Sequence, residues 1–218
     1  MTDPPRHPAR RSLPTLPDVQ PSGAAAPSMR GPLPTSNWVV PGLLLCGAEP
    51  DGPAALRLVM LGVRVFVCLQ SELPSDRPLP YRAHAERGSS SADDEPLEFV
   101  HEPIPDGTTF REEALRELVE RVAAAVRVGR PVYVHCRRGN DRTGLVIACV
   151  LGELYPALTA AEVLGRVQAY HDARVDPCGM LWQLCSAQRR QAEARLARRP
   201  ANCVRSVREA CACVGGIG

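Results

Sequence analysis

From Asn37 onward, apolar and polar positions alternate in a strand-then-helix rhythm. Trp38 to Gly47 reads as two short strands hinged at Pro41-Gly42. Asp51, followed by Ala54, Leu56, Leu58, Val59 and Leu61 and closed by Gly62, carries the start and stop marks of a helix. Val63 to Leu69 reads as a central strand and Leu97 to Val100 as another. Thr109 and Glu112 form a capping-box pattern, and Leu115, Leu118, Val119, Val122 and Val126 stripe the helix that follows, ended by Gly129. Val132 to Val134 is a short buried strand. The unbroken apolar run Leu145 to Leu151 is a buried helix too short to cross a bilayer. Thr159 and Glu162 cap a further helix with Val163, Leu164 and Val167 on its inner face; Asp176-Pro177 breaks it. Met180 to Arg199 reads as a last helix, apolar early and basic late. Strands and helices in alternation indicate an α/β fold, a central and mostly parallel sheet flanked by helices.

Outside this rhythm, residues 1–36 are rich in Pro, Ala, Ser and Arg without periodicity and read as a disordered leader; residues 200–218 read as a flexible tail. The chain of 218 residues then holds one folded domain over 37–199. Between Gln70 and Pro96 it turns polar and Pro/Ser-rich, which predicts a long loop or insertion. No long apolar span and no signal-peptide pattern appear, so the expectation is a cytoplasmic protein, with a nuclear one open, and no stable membrane insertion.

Nine cysteines, an odd number without a secretory signal, argue for free thiols, with Cys46, Cys68 and Cys149 in the core. Cys203, Cys211 and Cys213 fall short of a zinc motif, and the last residues form no prenylation box. No metal and no cofactor are expected. The formal charge of +2 says little about partners, no nucleic-acid partner is expected, and all 26 basic residues are Arg.

The chemistry concentrates in Pro131 to Gly144, where a strand feeds a tight loop that opens onto a helix N-terminus. Loop N–H groups and the positive end of the helix dipole make an anion cradle there. Cys136 starts the loop, and this field with Arg142 beside it favours the nucleophilic thiolate. A nucleophile beside a bound phosphate implies phosphoryl transfer through a phosphocysteine. Arg142 offers a planar fork of donors to two phosphate oxygens. Cys-x5-Arg alone arises by chance about once in a chain this rich in both residues; His135, Gly139, Thr143 and Gly144 at their offsets make the pattern specific.

The sequence His135-Cys136-x5-Arg142-Thr143-Gly144 resembles the signature of the cysteine-dependent protein tyrosine phosphatase superfamily, and the chain looks most like its atypical dual-specificity branch. Asn37-Trp38-Val39-Val40-Pro41-Gly42 and Leu61 to Leu69 extend that similarity. It implies a catalytic domain over 37–199 and a general acid on a loop about thirty residues before the nucleophile, where Asp106 stands; read alone, Pro105-Asp106-Gly107 is equally a plain turn. It further implies that Thr143 hydrogen-bonds the Cys136 sulfur and that His135 positions the loop. Gly139 and Asn140 join the substrate-binding loop. Arg137 and Arg138 add charge at its mouth, as solvated arginines or as a fit to polyphosphorylated headgroups. Asp141 reads as a helix N-cap, or by resemblance as the acidic residue that precedes the signature Arg in phosphoinositide phosphatases such as the myotubularins. Gln188 matches a family Gln near the pocket or else solvates the surface.

The expected substrate is a phosphorylated protein, with phosphotyrosine first and phosphoserine or phosphothreonine next. A phosphoinositide, inositol phosphate or RNA 5′-phosphate is the alternative, and a non-catalytic phosphate-binding module or a rhodanese-like sulfur transferase are the rivals. The oligomeric state is left open by the sequence.

Overall fold

The computed structural model describes residues 12–19, 27–89, 95–176 and 183–198. Five strands, β1 (Ser36–Val40), β2 (Leu44–Ala48), β3 (Val65–Gln70), β4 (Glu98–Ile104) and β5 (Val132–Cys136), form one sheet in the order β1-β2-β5-β3-β4. Only the β1–β2 pair is antiparallel; it turns at Gly42, whose φ of 73° suits a residue without Cβ. Strand β5 is the centre of the sheet. Its register sets Ala48 beside Cys136 and Cys68 beside His135.

Because successive side chains leave a strand on opposite faces, the sheet separates two cores. Val65, Val67 and Leu69 of β3, with Val132, Val134 and Cys136 of β5, face one core with α3 (Glu112–Arg127), α4 (Asp141–Leu154), α5 (Ala160–Asp172) and α6 (Ser186–Ala197). Phe66, Cys68 and Tyr133 face the other, with α1 (Gly52–Met60) and α2 (Arg82–Gly88). Every residue of α4 from Arg142 to Leu154 except Glu153 is buried, as an unbroken apolar run predicts for a helix enclosed on all sides.

Asp51 caps α1 by accepting from Ala54 N–H at 2.8 Å, and Thr159 with Glu162 forms the expected capping box of α5. The Thr109–Glu112 capping box does not form. Gln191 Oε1 accepts the Phe110 N–H at 2.9 Å, which anchors that segment to α6, and α3 starts at Glu112 with Arg111 as its uncapped N-terminal flank. The last helix is also shorter than expected: it starts at Ser186, residues 183–185 are not helical, and 177–182 lie outside the described residues.

Two expected loops carry structure. Within 70–96, α2 packs its Ala85 against α1, and Tyr81 is buried. Parts of the expected disordered leader lie against the domain: Leu16 joins the core, Met29 is fully buried, and Tyr155 Oη donates to Pro14 O at 2.8 Å. Leu13 and Leu16 supply the apolar contact that composition alone conceals. The rest of the leader, the tail and its three cysteines lie outside the described residues. Cys46, Cys68, Cys136, Cys149 and Cys185 are in no disulfide, and no cluster among the described residues could hold a metal ion. No helix among them is long and apolar enough to cross a membrane.

Candidate active site

Cys136 ends β5 and is 3% exposed, at the floor of a pocket of about 190 Å³. The loop that follows is held from outside. Arg137 O accepts from Glu49 N–H at 3.3 Å and Gly139 O from Arg174 Nη2 at 3.0 Å, while Asn140 O accepts the first bond of α4 itself, from Gly144 N–H at 2.6 Å. In a planar trans peptide the next N–H points opposite to each carbonyl, so the loop amides turn inward. The first-turn N–H groups of α4, without intrahelical partners, add to them.

Gly139 has a φ of 73°, and a Cβ there would lie 2.2 Å from the Gly47 carbonyl carbon. Only glycine lets the loop pass so close to β2. Arg174, 5% exposed, braces the loop further: its Nε donates to Asn37 Oδ1 at 2.7 Å, and its Nη2 also reaches Cys46 Sγ at 3.7 Å. No local pattern marks Arg174, because its partners lie 35 to 137 positions away.

Arg142 is 2% exposed, and its guanidinium meets two carboxylates. Nη1 donates to Glu72 Oε2 at 2.8 Å and to Ile104 O at 3.3 Å; Nε stands 3.3 Å from Asp106 Oδ1. Burial works against the Arg142 charge, yet the Glu72 hydrogen bond, the nearby Cys136 and Asp106 together raise its pKa above the ordinary value. In return the Arg142 hydrogen bond holds the Glu72 carboxyl below its usual range. Glu72 lies in the loop after β3, with nothing in its sequence surroundings to mark it.

Asp106, 70% exposed in its side chain, lies across the pocket from the loop. Gln188 of α6 is wholly buried rather than solvated; it donates to Thr108 O at 2.8 Å and so fixes the base of the Asp106 turn. His135 is fully buried, with Nε2 2.6 Å from Tyr81 Oη. Burial pulls its pKa down to about 3, against the backbone of Cys136, which favours the charged form.

Three further residues sit differently from expectation. Thr143 is buried, but its hydroxyl has no hydrogen-bond partner, so the bond to the Cys136 sulfur is not formed here. Asp141 is not the N-cap: it is the first residue of α4, and its Oδ1 accepts from Cys185 N–H at 3.0 Å, tying the loop to the α6 approach. Asn140 takes the flanking position without a side-chain cap, and its Oδ1 faces His171 Nε2 at 3.0 Å instead of the pocket. Arg137 and Arg138 are exposed and line the pocket.

Residues 33–179 match the family model described as the Swiss Army Knife protein DSP-PTPase phosphatase domain, which spans the sheet, Asp106 and the Cys136 loop. The chain belongs to this phosphatase family. Over 89 residues it is 34% identical to "Putative tyrosine phosphatase 067L" of Invertebrate iridescent virus 3; that match covers 39% of this chain and only 37% of the viral protein. The fold of this DSP-type domain is similar to the crystal structure of Tk-PTP in the active form, with a TM-score of 0.58 and 22% identity over 77% of this chain and 99% of that one. It is similar also to PTPMT1 in complex with PI(5)P, with a TM-score of 0.57 and 16% identity over 75% and 95% of the two chains.

Proposed function

We propose that this phosphatase hydrolyses phosphomonoesters, phosphotyrosine on proteins first among them, through a phosphocysteine formed on Cys136. The observation that carries the reading is the convergence of Cys136, Arg142 and Asp106 on one pocket beneath a loop whose carbonyls are tied outward. Each group supplies what the reaction needs.

The substrate phosphate is received by the loop N–H groups and the Arg142 guanidinium, displacing Asp106 from its contact at Nε. Cys136, as the thiolate, attacks phosphorus and forms the S–P bond. The ester P–O bond breaks, and Asp106 gives its proton to the leaving oxygen. In the second step Asp106 takes a proton from water. The hydroxide adds to phosphorus, the S–P bond breaks, and inorganic phosphate and the Cys136 thiolate are released. Donors fixed around the oxyanion before the reaction stabilise the charge that develops on it. The Thr143 hydroxyl, without a partner, is free to donate to sulfur as it departs.

A phosphoinositide or inositol monophosphate is the second substrate reading, since PTPMT1, whose fold is similar, is described in complex with PI(5)P. A rhodanese-like reaction would not need Asp106. The test is hydrolysis of an aryl phosphate by the wild type and by Cys136→Ser, with vanadate binding measured in both. Turnover lost and binding retained in Cys136→Ser supports the mechanism; substantial turnover by that variant contradicts it.

A further inference from the structure

Three arginines and three carboxylates line the pocket: Arg137, Arg138 and Arg142 against Glu72, Asp106 and Asp141. Their formal charges cancel with all three carboxylates ionised, and they cancel equally when Asp106 carries the proton it donates and Cys136 is the attacking thiolate. The arginines at the mouth therefore do not make the pocket a strongly cationic basin of the kind that concentrates polyanions.

Glu72 is the carboxylate placed to decide this. It is not a reacting group, since Asp106 fills the acid's position. Its Oε2 is bonded to Arg142 Nη1 at 2.8 Å, on the edge of the guanidinium that also meets Ile104 O. That edge is anchored to protein. Asp106 at 3.3 Å stands at the Nε side, which is the side a substrate oxygen can take over. Glu72 is 41% exposed at the rim, so it stays beside the bound phosphate as a negative charge facing the entering substrate. Arg137 lies near enough to help hold Glu72 ionised, and is to that extent already matched.

We propose that Glu72 is a specificity-determining residue, which admits an isolated phosphomonoester and disfavours any substrate carrying a second phosphate next to the first. This rests on the phosphatase reading and narrows its substrate class. A second phosphate would lie beside a carboxylate that stays in place, with Arg137 already drawn on by that carboxylate; repulsion between like charges is substantial in a partly enclosed pocket.

The test compares an aryl monophosphate with an inositol polyphosphate bearing adjacent phosphates, in the wild type and in Glu72→Gln. The amide keeps the shape of Glu72 and an oxygen for Arg142 while removing the charge. kcat/KM is measured for both substrates, and equilibrium binding of both is measured in Cys136→Ser with and without Glu72→Gln. The expected result is a shift of about tenfold toward the polyphosphate, corresponding to about 1.4 kcal/mol, in turnover and in binding. An unchanged ratio, or an equal loss for both substrates, overturns the proposal, because Glu72 would then only hold Arg142. If the wild type turns over neither substrate while the binding ratio still shifts, the phosphatase reading fails and the assignment of Glu72 stands.

Discussion

The Tyr81 phenol oxygen lies 2.6 Å from His135 Nε2, and both groups are buried. Burial raises the Tyr81 pKa, so the phenol keeps its proton and can donate it. With the phenol as donor, Nε2 accepts and the ring proton resides on Nδ1. A residue from the loop after β3 thus fixes the tautomer of the side chain just before the nucleophile.

Tyr81→Phe removes that donor and leaves a buried imidazole nitrogen without a partner. The expected cost is about 1–3 kcal/mol of stability, read as a lower urea midpoint with an unchanged slope. Rates should fall along with stability. A variant as stable as the wild type would show that the pair contributes nothing.

Gly139→Ala places a methyl 2.2 Å from the Gly47 carbonyl carbon at a positive φ. Backbone must shift, since a left-handed conformation alone costs a residue with Cβ about 1–2 kcal/mol. Phosphate and vanadate affinity should fall at least tenfold as the loop amides move. Titration of the folded variant with vanadate checks this, and unaltered affinity would contradict the close approach of loop and strand.

Acid should weaken the fold before any carboxylate titrates at its ordinary pKa. Burial holds His135 at about 3 and His171 at about 4, both below the ordinary 6.5. Between those values the unfolded chain binds protons that the folded chain refuses, so stability falls as pH drops below about 6.5. The slope is about 1.4 kcal/mol per pH unit for each histidine. Denaturation midpoints measured between pH 7 and pH 5 should decline accordingly; a flat profile would place both rings in contact with water.

The core of the site was legible because it is local. Cys136, Gly139 and Arg142 lie within one strand, loop and helix, and with His135, Thr143 and Gly144 at their offsets they mark the turn. What sequence could not supply is long-range. Glu72 reaches Arg142 across 70 positions, Tyr81 reaches His135 across 54, and Arg174 reaches Asn37 across 137. Local rules also lose where tertiary bonds compete. The Thr109–Glu112 capping pattern yields to the Gln191 bond at Phe110, and Asp141 turns from capping to Cys185. Leu16 is hidden in a Pro-rich stretch whose composition resembles a tail, yet it packs against the core.

The proposed reaction turns on a bond between sulfur and phosphorus. Asp106→Asn should slow turnover by about 10²–10⁴-fold by removing the acid and the base. Mixed rapidly with an aryl phosphate, quenched in acid and digested, this variant should yield the peptide containing Cys136 with one phosphoryl group attached, as read by mass spectrometry. Turnover that continues while that peptide never carries phosphate would contradict a phosphocysteine intermediate.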